Sequence, residues 1–442
     1  MSDTGSYDAG QARFSKFEEM SPNSRSFFLR TVGKMEAGAL RAAIFTLIST
    51  AIGAGCLTLP LVFYRQGIIL GFILLVSACA CSFTGIMNIT TAAENFKVFE
   101  YSDLILNVLG KKWKLLFDNV LILYVFGTLI GYQVMVGNFV PSIFSSLNIN
   151  FEPNIERIII MVGANVLIMA PLGVMRTLTS LRFMSIVSAL TLLYIALLII
   201  CEFPFFNRHN SYDNVHIFDV NLSIISSFNI CLYAFTCHTN VAQVYKELNN
   251  KNLRRMGKVA RRAMLTVLIP FSILALFGYL STLSDTPNLI IMRRAPAAIS
   301  NDWLMVIARI LMSITLVIAV PINIPPCRKC IIKTWLRNND EHPSNTLYFL
   351  YRHYGVTLAL LGITLLVAIF FQGILIVFSI LGGFCCGLIV LVIPSMKYLG
   401  FLKVKTEKYE DKSWKAIALK VGSVSLFLLG TTGAILSVIG ID

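Results

Sequence analysis

Two short stretches of this 442-residue chain carry groups able to hold a small charged molecule amid apolar neighbours. The first reads Phe45-Thr46-Leu47-Ile48-Ser49-Thr50-Ala51-Ile52-Gly53-Ala54-Gly55-Cys56-Leu57-Thr58-Leu59-Pro60. Gly53 and Gly55, with Pro60 five residues on, weaken a helix in its middle. The second reads Asn229-Ile230-Cys231-Leu232-Tyr233-Ala234-Phe235-Thr236-Cys237-His238-Thr239-Asn240. It has no glycine or proline, but its polar residues cluster at the centre. Unwinding either stretch frees backbone N–H and C=O groups, which inside a membrane are tolerated only where they line a cavity or bind something. A half-helix starting near Gly53–Cys56 presents free amides and its positive dipole end, which suit a carboxylate. Carbonyls freed around Thr236–His238 suit an ammonium group or a cation. Together they fit a zwitterion such as an α-amino acid.

The elements that must position these stretches are membrane-spanning helices. Hydrophobic residues make up 56% of the chain and charged residues 14%, against about 45–50% and ~25% in soluble domains. Mean hydropathy is +0.74. A hydrocarbon core about 30 Å thick takes roughly 20 helical residues to cross. Eleven apolar runs are candidates: about 42–64, 67–93, 115–140, 157–172, 184–203, 222–244, 263–284, 303–326, 355–371, 374–396 and 416–440. The runs are continuous and lack period-two alternation, which excludes a β-barrel. A soluble enzyme and a disulfide scaffold are excluded by the same composition. The sequence shows no HExxH, no GxSxG and no intramembrane carboxylate pair, so a membrane enzyme is not expected. No channel filter motif, cofactor motif or metal-ligand pattern is present; Cys327 and Cys330 form a CxxC with no second pair.

Lys and Arg set the orientation. With the N-terminus in the cytosol, 31 basic residues fall on the cytosolic side and five on the other, with Arg309 inside a span. That asymmetry explains the net charge of +14 without a nucleic-acid partner. Residues 1–40 read as a polar, mostly disordered cytosolic tail, and 41–442 as the membrane domain. The 244–262 loop is the most basic and reads as a cytosolic anchor, with anionic lipid headgroups as its other expected contact.

The sixth span lies five after the first. Interruptions at matching places in two halves point to a secondary transporter built from inverted repeats. The expected repeats are 41–203 and 222–398, with 416–440 as an extra helix.

At these residues the chain resembles the amino acid/auxin permease family, and within it the sodium-coupled neutral amino acid transporter branch. Ala51–Pro60, AIGAGCLTLP, is similar to the family's IGxGxLxLP element. Tyr132 to Asn138 resembles its Y-x-x-x-x-G-D/N segment, and Ala234–Glu247, AFTCHTNVAQVYKE, its AFxCHxxxxxxYxE. Pro321 to Arg328 resembles P-x-x-x-x-P-x-R. The matches run in order over about residues 38–440. The resemblance implies an all-α, eleven-helix, five-plus-five inverted-repeat (LeuT-like) transporter with broken helices one and six, working by alternating access on a cation gradient. It implies that Thr50, Ala51, Ile52, Gly53, Ala54 and Gly55 meet the substrate carboxylate. Phe235, Thr236 and Cys237 would face the amino group and side chain, and Asn138 is a further candidate for the cavity wall.

Two departures bear on the coupling ion. Sodium-coupled members carry Asn where this chain has Ser49, and often Thr where it has Ala319. A hydroxyl is a poorer hard-cation ligand than an amide carbonyl, and alanine supplies no side-chain oxygen. Thr46, Ser49, Ser313 and Thr315 could rebuild a sodium site; proton coupling, with His238 as candidate, or facilitated exchange are the alternatives. The branch's large extracellular loop is missing between spans five and six. A transporter-like sensor of amino acids is the rival from another class. The expected partners are an amino acid, a proton or sodium ion and lipid, for a monomer in the plasma membrane or a vacuolar or lysosomal membrane.

Other residues carry plainer readings. Arg309 reads as snorkelling or structurally paired. Glu247 reads as an inner-gate or solvated charge, and Tyr132 and Gln133 as cavity-lining or interhelical groups. Asn221-Leu222-Ser223 is a sequon that hugs the membrane.

Overall fold

The computed structural model describes residues 38–146, 152–174, 182–207, 215–293, 302–335, 346–371 and 373–392, and seven isolated positions between 421 and 435. Its described residues are helical, with no strand among them. Seven helices are long and apolar enough to cross a membrane, and Leu40–Ala51 and Ile374–Val390 are shorter apolar pieces. The eleventh expected span and the tail to residue 37 lie outside or almost outside the described residues.

The first span is α1 (Leu40–Ala51), a break at Ile52 and Gly53, and a 3-10 turn over Ala54–Thr58 that runs into α2 (Leu59–Phe96). Pro60 sits in the first turn of α2, where its missing N–H costs nothing. α2 contains both the end of the first span and the whole second span, because the turn between them is a single residue, Gly67, at φ +78° and ψ 172°. A Cβ there would collide with the backbone of Ile217 and Phe218, so only glycine fits.

A short helix absent from the sequence reading follows. α3 (Tyr101–Leu109) precedes α4 (Lys111–Ser146), the third span. α5 (Pro153–Ala164), a π turn over Asn165–Met169 and α6 (Ala170–Val174) make the fourth. α7 (Arg182–Asn207) is the fifth. The sixth is α8 (Ile224–Ala234), a break at Phe235–Cys237, a 3-10 turn over His238–Asn240 and α9 (Val241–Glu247). α10 (Leu253–Thr282), α11 (Trp303–Cys330), α12 (Thr346–Phe370) and α13 (Ile374–Ile380) complete the described chain; α13 continues as a π segment, Leu381–Val392.

The basic loop is shorter than expected. α10 starts at Leu253, so Arg254, Arg255, Lys258, Arg261 and Arg262 lie on its first turns and not in a loop. Asn252 caps that start, its side chain accepting from the Arg255 amide at 2.7 Å.

Large apolar side chains such as Ile73, Leu167, Ile269 and Leu366 face outward, as a lipid-facing surface requires. Because lipid is as apolar as leucine, helix association rests on close approach and polar contacts. Small residues make that approach: a Cβ at Gly382 would overlap the Asn229 carbonyl, and one at Gly127 would lie 2.7 Å from Leu381. Interhelical hydrogen bonds add to it. Gln133 donates to Thr364, Arg328 to Thr357, and Arg157 to the Ala368 carbonyl.

Candidate functional site

The first break exposes donors. Helix α1 closes with the Ile52 amide on the Ile48 carbonyl at 2.9 Å. The chain then extends through Gly53, at φ −132° and ψ −162°, and starts a new helical turn at Ala54. A helix start leaves its first amides without intrahelical partners, and those of Gly53 and Gly55 carry no hydrogen bond among the described residues. The carbonyls nearby are taken: Cys56 Sγ bonds the Gly53 carbonyl and Thr58 Oγ1 the Gly55 carbonyl. Side chains thus cancel the acceptors and leave an electropositive patch, which Ala54–Thr58 and the start of α2 reinforce with their dipole.

The second break exposes acceptors. The Phe235 amide bonds Cys231 and the Thr236 amide bonds Tyr233. Thr236 Oγ1 donates to the Leu232 carbonyl at 2.8 Å. The carbonyls of Ala234, Phe235 and Thr236 carry no hydrogen bond among the described residues. The side chains of Phe235, Thr236 and Cys237 are buried.

The fold brings the two breaks into contact. A Cβ on Gly55 would lie 2.8 Å from Tyr233 Cδ1 and 3.1 Å from the Ala234 backbone. Tyr132 of α4 closes a third side, its hydroxyl 3.0 Å from where a Gly53 Cβ would sit. Tyr233 stacks on Phe378 of α13 with centroids 5.0 Å apart and meets Tyr124 edge-on. Donor amides, acceptor carbonyls and an aromatic wall therefore meet at one buried point.

The remaining expected residues are placed as follows. Thr50 lies on the last turn of α1, half-buried, its hydroxyl donating to the Thr46 and Leu47 carbonyls; Ala51 and Ile52 are buried. Thr46 and Ser49 donate to Ala42 and Thr46, and Ser313 donates to Arg309. Each spends its proton on its own helix. Thr315 of α11 donates to Thr191 of α7. Asn138 is half-buried on α4 beside Gly137, where an added Cβ would meet Met161 and Arg157 of α5. His238 is fully buried; its Nε2 lies 3.1 Å from the Ser82 carbonyl of α2. A carbonyl can only accept, so Nε2 bears the proton and Nδ1 is the bare nitrogen. No described group bonds that Nδ1.

Arg309 is structurally held: Nε donates to the Ile291 carbonyl at 3.1 Å. Glu247 is exposed and accepts from Gln243. The sequon asparagine is engaged at both ends, donating to the Arg65 carbonyl and accepting from Gln66 and Ser223.

Two polar clusters escaped the sequence reading. Asp118, fully buried at the foot of α4, accepts from Ser102, Lys114 and Thr334 at 2.5, 2.5 and 2.6 Å. Nearby Glu100 pairs with Lys329 and Lys333, each at 3.1 Å. In the second, Glu202, near the end of α7, forms a buried ion pair with Arg293. The two are 91 residues apart in the chain, and no local pattern announces them.

Residues 36–436 match the profile of a family described as "Transmembrane amino acid transporter protein". Vacuolar amino acid transporter 5 of Schizosaccharomyces pombe is 24% identical over 362 residues, 81% of this chain and 84% of that one. AAT1 of Toxoplasma gondii is 26% identical over 309 residues, which cover 70% of this chain but only 42% of the relative's own length. Among solved structures, the substrate-bound outward-open state of a Na+-coupled sialic acid symporter superposes with a TM-score of 0.54 at 13% identity. The match covers 91% of this chain and 90% of that one, and it is a likeness of fold.

Proposed function

The chain belongs to the transmembrane amino acid transporter protein family, and from that premise we propose that it is a secondary active carrier of small neutral or cationic amino acids working by alternating access. The observation that carries this reading is the opposite polarity of the two touching breaks. Free amides at Gly53 and Gly55 suit an α-carboxylate, and free carbonyls at Ala234–Thr236 suit an α-ammonium. Both recognition elements are backbone, so they serve the invariant part of every amino acid and leave the side chain to Phe235, Thr236, Cys237 and the aromatic wall.

In this reading a proton, in preference to sodium, is the coupling ion. Ser49 and Ala319 offer weaker hard-cation ligands than an amide and a hydroxyl would, and the bare Nδ1 of His238 is a buried proton acceptor beside the second break. The named vacuolar relative favours a vacuolar-type membrane, and the uneven spread of Lys and Arg favours an N-terminus in the cytosol.

The test is uptake of a panel of labelled amino acids into proteoliposomes holding the full chain, with proton and sodium gradients imposed separately. Accumulation under a proton gradient alone is the expected result. Strict sodium dependence overturns the coupling assignment. Saturable binding without flux under any gradient replaces the carrier with a sensor.

A further inference from the structure

The basic stretch after the sixth span has no part in the carrier cycle. Its residues form a ladder on α10. Arg254, Lys258 and Arg261 are exposed and stand at i, i+4 and i+7, on one face of the helix, with exposed Arg262 beside them. The opposite face is buried through Met256, Val259, Ala260, Ala263 and Met264. Along the exposed face the ladder runs into Leu265 and Ile269, which belong to the outward-facing apolar surface. Arg254 to Arg261 spans about 10 Å of the helix axis. The ladder therefore starts one turn from the lipid-facing residues and runs outward through the depth of the headgroup layer.

Local electrostatics oppose this arrangement. Cations at a helix N-terminus face the positive end of the macrodipole. Like charges at i and i+4, as in Arg254 with Lys258 and Lys258 with Arg262, repel. The first turn holds no acidic residue to offset either effect. None of Arg254, Arg255, Lys258, Arg261 and Arg262 forms a salt bridge among the described residues, and Arg255 Nε is buried with no acceptor among them. Elsewhere on the same face of the bundle the lysines are matched: Lys114 with Asp118, Lys329 with Glu100, and Lys333 with Glu100 and Asp103. Lys251 sits over the Phe99 ring at 4.4 Å. A preference for one side of the membrane accounts for where the α10 cations lie. It does not account for stacking them without counter-charge. An anion from outside the chain removes both penalties, and continuity with Leu265 and Ile269 makes that anion one with hydrocarbon attached.

We propose that the exposed face of α10 binds an anionic phospholipid, its phosphate held among Arg254, Lys258 and Arg261 and its acyl chains against Leu265 and Ile269. A guanidinium takes two phosphate oxygens at once, and the Lys258 ammonium adds a point charge. The bound phosphate turns the interaction with the helix N-terminus from repulsion to attraction. Only residues 248–252 separate α9 from α10, so the lipid also steadies the end of the sixth span.

Melting of the full chain in an uncharged detergent reads the site without flux, so its outcome is independent of the carrier reading. Phosphatidylglycerol should raise the melting temperature at a concentration about tenfold below that needed for phosphatidylcholine with the same acyl chains. Arg254→Gln, Lys258→Gln and Arg261→Gln together should remove that preference and leave the phosphatidylcholine response as it was. The double variant Arg254→Gln, Lys258→Gln should lose about threefold of it, and it carries the test if the triple variant fails to fold. Lys97→Gln, Lys111→Gln and Lys112→Gln together remove equal charge from exposed residues elsewhere and should keep the preference. Equal protection by the two lipids, a preference that survives in the α10 variants, or its equal loss in the Lys97, Lys111 and Lys112 variant overturns the proposal. So does protection by glycerophosphate at the same concentration as phosphatidylglycerol, which would make the ligand a soluble phosphate.

Discussion

The two breaks reach similar shapes from opposite causes. In the first, glycine and proline make the interruption: Gly53 lets the chain extend, Gly55 lets it touch Tyr233 and Ala234, and Pro60 starts the next helix. In the second no residue breaks a helix by type. Phe235–Cys237 is held by its surroundings, through His238 on the Ser82 carbonyl of α2. The first break is local and the second is tertiary. Their residual polarity differs in the same way: one has spent its acceptors and the other its donors. An interruption's chemistry thus depends on which backbone groups the flanking side chains silence.

Gly55→Val strikes this contrast hardest, because it wedges the breaks apart. The added Cβ meets backbone as well as ring, so uptake should fall at least ~100-fold and thermal stability by about 2–3 kcal/mol; melting in detergent and proteoliposome uptake measure both. Gly53→Val meets only the Tyr132 hydroxyl. It should abolish uptake while leaving expression and melting near wild type, and unchanged uptake would remove Gly53 from the carboxylate site.

Substrate analogues sharpen the polarity difference with smaller effects. Replacing the carboxylate by a carboxamide should weaken binding roughly 10–100-fold through the donor break, at about 1.5–3 kcal/mol for a hydrogen bond to a charged group. A 2-hydroxy acid lacking the ammonium should lose as much through the acceptor break. Loss of affinity with only one analogue, read by competition, would mean that the breaks do not divide the two charges.

The smallest effect is expected far from both, at the clasp of Glu100 with Lys329 and Lys333. Burial pushes the Glu100 carboxyl up, but hydrogen bonds and charge from Lys329 and Lys333 outweigh it and hold the group down at about 2. A lowered value gives stability that is present above the ordinary carboxylate range and lost as pH falls toward about 2. The clasp is therefore intact at physiological pH on its own side. Glu100→Gln should cost no more than about 0.5 kcal/mol, since the pair is largely exposed and screened. A melting shift indistinguishable between pH 7 and strongly acidic buffer, in both proteins, would show that the ion pair contributes nothing.

The same local–tertiary divide explains what was legible in the sequence. Helix class and the first break follow from composition and the Gly53–Pro60 spacing, each a property of neighbours in the chain. The sixth-span break was visible only as a polar cluster and through the resemblance around Ala234–Glu247. Nothing local marks α3, whose nine residues are too few for a clear period, nor the π turn at Asn165, whose side chain bonds the Leu361 carbonyl of another helix. Glu202 and Arg293 stand 91 residues apart and pair only when α7 meets the turn that follows α10.

The single-residue turn at Gly67 has a mechanical consequence. Ile68 and Ile69 donate to the carbonyls of His216 and Ile217, and Asp219 donates back to Gln66. The outer ends of the first and second spans and the lead-in to the sixth are thereby riveted into one crank with no slack loop between its arms. A displacement of the sixth span at this corner is delivered to the first within a few residues, so in the proposed carrier the two half-sites would move together.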